Sequence, residues 1–331
     1  MQMATLKDVA ERAGVTVTTV SRMLNGRVKV STATQERIQN AMREIGYYPN
    51  EMARSLSRKN SSFIGLIVPS AKNYFFAELI HYVEAAAEAN HCRLVLCVSN
   101  QKGEVAQEYF EMLMSNKVMG VIMGNYESLN QAKRSAAPLV VFEQPDDPAI
   151  PCAKTDDFQG GRLAGEHLVS KGCRHILYLS GDIKIKRNSV SQQRFNGLCE
   201  ACREKGVDMP IAIETGWDEF RSMNYEKTVS RIFQKYPDTD GVFASNDLIA
   251  ASAVSFCRKQ GIDVPGKIKI VGYDDTSFAS LCAMPLTTIH QPIEELARYA
   301  VECVIRRAND ETVPSTTVFP VRLVERETTS C

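Results

Sequence analysis

The chain has 331 residues, 44% of them apolar, with 39 acidic and 39 basic groups in balance. That length exceeds one ordinary domain, and the composition supports buried cores, which excludes a disordered tail or a small disulfide-stapled peptide. The zero net charge hides an asymmetry: residues 1–60 carry ten Lys or Arg against five Asp or Glu, which leaves the remainder with 29 against 34. A basic head on an acidic body assigns any contact with nucleic acid to the head alone.

Ten cysteines at irregular spacing fit reduced thiols of a cytoplasmic protein better than a secreted framework. Cys199 and Cys202 have C-x-x-C spacing, but there is no second pair to complete a four-thiolate zinc site, and a structural role is the ordinary reading. The opening "MQMATLKDVAERAG" lacks the apolar core of a secretory leader, and runs such as "FIGLIVP" are too short to span a bilayer. No phosphate loop and no G-x-S-x-G nucleophile turn occur. The five histidines (His81, His91, His167, His175, His290) show no metal-binding spacing, so no metal and no cofactor are expected.

In chain order, residues 5–45 predict three short helices. "TLKDVAERAG" can be capped by Thr5, with Leu6, Val9, Ala10 and Ala13 at helical spacing and Gly14 as the stop. "VTTVSRMLN" places Val20 and Leu24 inward and stops at Gly26. "TATQERIQNAMREIG" turns Ile38, Met42 and Ile45 inward. A short helical piece, "EMARSL", and a polar linker, "SRKNSS", follow. From Phe63 onward, apolar runs of strand length alternate with helical segments, from "FIGLIVP" to "PLVVFE" and again from "HILYLSG" to "KIKIVGYDD". Alternation of this kind predicts two α/β halves with parallel sheets, whose ligand would sit at the carboxyl ends of the strands. The chain returns through "TTIHQP" and a long helix, and ends in β-rich "TTVFPVRLVERETT".

A helix stopped by glycine, a short turn and a second helix make a helix-turn-helix, whose second helix enters the DNA major groove. Thr16, Thr19 and Ser21 then donate to phosphates, Val17 and Thr18 meet thymine methyls or base edges, and Arg22 pairs with guanine. The alternative is a small helical subdomain with a solvated face. "TLKDVAERAGVTVTTVSRMLNG" with "VSTATQERIQNAMREIGYYPNEMARSL" strongly resembles the lactose-repressor (LacI/GalR) family of bacterial transcription regulators, and the resemblance extends over essentially the whole chain.

The resemblance implies an α/β protein with an all-α helix-turn-helix head and a hinge helix. A two-lobed body like the periplasmic sugar-binding proteins follows. It sets the head at residues 1–46, the hinge helix and linker at 47–61 and the effector-binding, dimerising body at 62–331. Lobe 1 is 62–161 with 292–320; lobe 2 is 162–291 with 321–331. It adds Thr5, Asn25 and Tyr47 to the DNA-facing set, and a hinge that folds on the operator minor groove, with Leu56 as the wedge and Asn50, Ala53 and Arg54 beside it. A wedge of this kind kinks DNA, and a ten-residue segment is too short to be a stable helix alone. The alternative is a plain linker.

For the cleft the resemblance implies Asn73, Phe75 and Phe76 from "SAKNYFFAEL", where Tyr74 replaces a proline. It further implies Asn125, Arg194, Phe220 (with Trp217 as substitute), Asn246, Asp274 and Gln291. Forked amide, carboxylate and guanidinium groups suit vicinal hydroxyls. Each position also has an ordinary reading as strand-end polarity or packing. Glu143 and Gln144 stand where many sugar-binding members have Asp-Arg. The expected protein is a homodimeric, nucleoid-associated cytoplasmic repressor of operator DNA, controlled by a sugar or polyol effector, neither enzyme nor membrane protein. A carbon-catabolite regulator with a phosphoprotein corepressor, for which Arg306 and Arg307 would be candidates, and a soluble sugar-binding receptor are the alternatives.

Overall fold

The computed structural model describes residues 4–24, 30–48, 62–100, 102–124, 138–143, 145, 147–180 and 189–330, with only the backbone of Trp217. The chain forms two compact units, 1–61 and 62–331.

In the first unit, α1 (Leu6–Ala13), α2 (Val17–Leu24) and α3 (Thr32–Glu44) enclose a small core of Val9, Ala10, Ala13, Val20, Ile38 and Ala41. Thr5 opens α1 through a reciprocal cap: its hydroxyl accepts from the Asp8 amide, and the Asp8 carboxylate accepts from the Thr5 amide at 2.8 Å. Gly14 closes α1 with φ 63°, the left-handed geometry that a glycine adopts without strain. Arg12 bonds Glu44 at 2.6 Å and ties α1 to α3.

The second unit contains β1 (Phe63–Val68), α4 (Tyr74–Ala89), β2 (Arg93–Val98), α5 (Gly103–Ser115), β3 (Gly120–Met123), β4 (Leu139–Val141) and β5 (Cys152–Thr155). Next come α6 (Asp157–Ser170), β6 (Ile176–Ser180), α7 (Val190–Glu204), β7 (Ile211–Glu214), α8 (Trp217–Ser222) and α9 (Glu226–Lys235). It ends with β8 (Gly241–Ala244), α10 (Asp247–Lys259), β9 (Lys269–Asp274), α11 (Ser277–Leu281), β10 (Thr287–His290), α12 (Ile293–Ala308), β11 (Thr316–Phe319) and β12 (Arg322–Val324). Among the described residues no helix is long and apolar enough to cross a membrane.

The strands form two six-stranded sheets, ordered β11-β5-β4-β3-β1-β2 and β12-β10-β9-β8-β6-β7. All pairings are parallel except β12, which runs antiparallel to β10. Each sheet is the floor of one lobe, and both are covered by helices. The apolar side of α12 (Leu296, Ala297, Ala300, Val301, Val304) joins Ile64, Leu66, Leu79 and Val83 in the core of the first lobe. Three connections pass between the lobes, after β5, after β10 and after β11. The first lies at Asp156, ahead of the 161/162 boundary read from the sequence. The cause is α6, which starts at Asp157 and packs along α7 in the second lobe. Three short elements, β5, α8 and α11, were not anticipated. "CAKT" is four residues interrupted by a lysine, and helices of five or six residues show no period.

Candidate functional site

In the head, Val17, Thr18, Ser21 and Arg22 fall at i, i+1, i+4 and i+5 on α2, opposite buried Val20. Val17 leaves 45% of its surface in water although the other valine of the helix is fully covered. Thr18 and Arg22 are exposed as well. Thr16 accepts from the Thr19 amide at 3.1 Å, and the two hydroxyls bond each other at 2.8 Å. These two threonines therefore fix the start of α2 in addition to facing outward. Thr5 serves the cap of α1, and Tyr47 packs against the head's core. Asn25, Asn50, Ala53, Arg54 and Leu56 lie outside the described residues.

In the body, a cavity of about 220 Å³ separates the two lobes. Its wall is built from strand ends: Pro69 follows β1, Gly124 follows β3, Glu143 follows β4, Thr155 ends β5, Ser245 follows β8, Asp274 ends β9 and Gln291 follows β10. That is where an open parallel sheet presents a ligand site. Of the residues named from the sequence, Asn73, Phe75, Phe76, Glu143, Arg194, Phe220, Asn246, Asp274 and Gln291 all line this one cavity. Asn125 and Gln144 lie outside the described residues, and so does the side chain of Trp217.

The polar groups of the wall are held in place. Asn73 caps α4 by accepting from the Phe76 amide at 3.3 Å, and Asn246 caps α10 by accepting from the Ile249 amide at 2.9 Å. Each cap uses the amide oxygen, and the Asn246 side chain also bonds the Tyr225 hydroxyl. Phe75 meets Phe76 edge to face at 5.2 Å and gives the cavity an apolar wall.

Arg194 is the anchor of the second lobe. Its guanidinium donates to Asp157 Oδ1 at 2.8 Å and to the Ser245 carbonyl at 2.7 Å, and lies 3.5 Å above the Tyr273 ring. Burial opposes its charge, but Asp157, Tyr273 and Asp274 outweigh burial and raise its pKa, so it remains a cation. α7 can bring it there because α6 and α7 meet at glycines. A Cβ on Gly161 would strike the Arg194 backbone, and one on Gly197 would strike the Phe158 carbonyl.

Asp274 is the second anchor. Gln291 Nε2 donates to it at 2.7 Å, and Gln291 Oε1 accepts from Thr155 at 2.9 Å, a chain that joins β9 to β5 of the other lobe. Burial pushes the Asp274 carboxyl up to about 7, against the opposing pull of Arg194 and the bond from Gln291.

Sequence reasoning missed Asp157, Thr155, Tyr225 and Lys154, which also line the cavity. Asp157 and Arg194 are 37 positions apart, and no local pattern pairs them. Lys154 was hidden in the overlooked β5. Cys199 and Cys202 stand apart from the cavity as free thiols, and burial pushes both up to about 11. Among the described residues no cluster of His, Cys, Asp or Glu is placed to hold a metal.

An all-helical head with an open recognition face, followed by two α/β lobes around a polar cavity, defines the class of one-chain regulators that read DNA and sense a small molecule. Residues 5–50 match the family of bacterial regulatory proteins, lacI family, and residues 166–329 match the periplasmic binding protein-like domain. The sucrose operon repressor of Streptococcus mutans is 33% identical over 98% of this chain and 99% of its own. The ribose operon repressor of Bacillus subtilis is 34% identical over 99% of each. A lac repressor dimer, solved with operator and the anti-inducer ONPF, superposes with a TM-score of 0.84 at 26% identity, over the whole of both chains. The chain belongs to the lacI family of bacterial regulatory proteins.

Proposed function

We infer that the protein is a homodimeric transcriptional repressor whose two heads read the half-sites of an operator, and whose DNA affinity is set by a sugar or related polyol in the cleft. The observation that carries the effector half is the wall itself. Asn73 and Phe75 come from one lobe and Arg194, Asn246 and Asp274 from the other. A polyhydroxylated ring between them favours one arrangement of the lobes, and its leverage is the difference in affinity between arrangements. The relatives named as sucrose and ribose operon repressors support sugar as the ligand class. Operator DNA sets the site of action in the bacterial cytoplasm, at the nucleoid.

On DNA, Arg22, Val17 and Thr18 read base edges, Thr5, Thr16, Thr19, Ser21, Asn25 and Tyr47 position the head, and the hinge with Asn50, Ala53, Arg54 and Leu56 enters the minor groove. A phosphoprotein corepressor finds less support. Arg306 bonds Glu311 and the Thr312 carbonyl, and Arg307 reaches the Leu139 carbonyl, so both arginines have partners in their own chain. The test is a mobility-shift titration on the promoter fragment of the protein's own gene and its neighbours, with and without a sugar panel. A sharp, sugar-sensitive shift is expected. A folded dimer that retards these fragments no better than random DNA, or ignores every sugar, would overturn the reading.

A further inference from the structure

Asp274 reaches the cleft from a backbone that residues with a Cβ avoid. Its φ is 109°, and Asp275 follows at 56°, so two consecutive aspartates stand at positive φ. Strained backbone of this kind persists only where its surroundings hold it. Three sets of bonds do so here. On the side of β10, the Gln291 amide donates to the Asp274 carbonyl at 3.1 Å. On the side of α10, buried Asp247 accepts from the Thr276 amide at 3.1 Å. Between them the Asp275 carboxylate, with 9% of its side chain in water, accepts from Arg326 Nη2 at 2.6 Å and meets His290 Nδ1 at 2.9 Å.

Arg326 belongs to the stretch 325–330, which lines no part of the cleft. That stretch is anchored beneath β9 and β10. Thr328 and Thr329 are fully buried. Thr328 Oγ1 donates to the Ile270 carbonyl at 2.7 Å and accepts from the Thr287 amide at 2.9 Å. The Thr329 hydroxyl bonds the Thr287 hydroxyl at 2.7 Å and His167 Nε2 at 2.8 Å. Arg326 is itself held at two further points: its Nη1 donates to the Leu286 carbonyl and its amide to Thr287 Oγ1, both at 2.8 Å. A guanidinium fixed in this way loses little freedom on bonding Asp275, and it fixes Asp275 in turn.

We propose that Asp275 and Arg326 are positioning residues for the effector site: the anchored C-terminal stretch, acting through Asp275, holds the turn after β9 at positive φ and so keeps the Asp274 carboxylate in the cleft beside Arg194 and Gln291. Neither residue touches the ligand. The functional weight of the pair rests on the cleft being the effector site. Without the tie the turn relaxes towards ordinary backbone, and the carboxylate moves out to water.

The test needs no ligand. Carbon-13 NMR of the full chain, labelled at the aspartate carboxyls, reads each titration, and the Asp274 resonance is the one missing from Asp274→Asn. In the parent this carboxyl should titrate at about 7, where burial holds it. In Arg326→Gln it should fall below ~6, towards the usual ~3.9, because a released carboxylate regains water. Charge alone works in the opposite direction, since removing a cation raises a neighbouring carboxyl. The other charges that face Asp274, those of Arg194, Asp157, Glu78 and Asp247, stay in place. Arg326→Lys, which keeps a cationic donor opposite Asp275, should restore most of the parent value. The double variant Asp275→Gly, Arg326→Gln removes both charges together, leaves no unpaired carboxylate and takes φ 56° without strain. It carries the test where Arg326→Gln does not fold, and its Asp274 should fall in the same way. An Asp274 titration that is unchanged or raised in either folded variant overturns the inference, even if the variant melts lower, and leaves Arg326 a brace of the C-terminal stretch. A sugar panel that binds the parent nowhere overturns the sugar reading and leaves this result standing.

Discussion

Asp274 combines a buried carboxyl with a place on the cleft wall, and this makes ligand binding sensitive to pH. Its carboxyl titrates at about 7 in the folded chain, against about 3.9 for an unfolded aspartate. The folded state thus holds the proton more tightly. Stability from this group is fully present below about pH 4 and is lost as pH rises towards 7. A ligand that donates hydroxyls to the ionised form works in the opposite sense. Affinity should be about tenfold weaker at pH 6 than at pH 8, the ratio of ionised fractions for a pKa near 7. Asp274→Asn should flatten that dependence relative to the parent, which titrations of both at the two pH values would check; an unchanged slope removes Asp274 from ligand contact. In the head, Arg22→Ala should cost about 1–3 kcal/mol per half-site and relax preference at one base pair. Equal weakening on operator and random DNA would make Arg22 a phosphate contact instead. At this scale the sequence was informative wherever a forked polar residue ends a strand, as in "ASND" and "GYDD". It was silent about Asp157, since the burial that makes the Asp157–Arg194 pair matter exists only after α6 and α7 have packed.

The α6–α7 crossing is the element on which the position of Arg194 depends. Gly161 and Gly197 face each other's helix backbone there, and neither position has room for a methyl group. Gly161→Ala or Gly197→Ala should destabilise the body by about 1–3 kcal/mol, as overpacking does. Either change should also weaken sugar binding, because α7 must move and Arg194 with it. Thermal melts and ligand titrations on the same preparations would check both effects. A variant that melts lower but binds sugar normally would show that the crossing does not position Arg194. The helices themselves were legible, since "GGRLAGEHLVSKG" and "QRFNGLCEACREKG" have helical spacing. The reason for their glycines was not, because it lies in a helix 36 positions away. The head shows the opposite balance: its caps, turn and core follow from local signals at Thr5, Gly14 and Val20, and the fold there departs little from the reading.

The two lobes touch outside the cleft as well as through their three connections. Tyr74 of α4 stacks on Phe278 of α11 at 4.4 Å, and Glu78 accepts from the Ser277 amide at 2.6 Å. This clasp stands where the family's turn has a proline, so the substitution seen in the sequence acquires a role only in three dimensions. An aromatic stack contributes about 0.5–1.5 kcal/mol beyond burial. Tyr74→Ala should therefore weaken ligand binding by about 2- to 12-fold and enlarge the ligand-free body in small-angle scattering. Unchanged affinity and scattering would deny the clasp any part in closure. The chain threads each lobe in pieces, and ribosomal synthesis meets those pieces out of order. The head needs only residues 5–45 for its core and can fold as soon as they emerge. The first lobe's core, with Ile64 and Leu66 of β1 and Leu79 of α4, waits incomplete until α12 arrives, after all five parallel strands of the second lobe have been made. Nascent chains stalled before Ile293 should show a protease-resistant head on a protease-sensitive body. For that interval each new molecule carries a DNA reader ahead of the body that governs it.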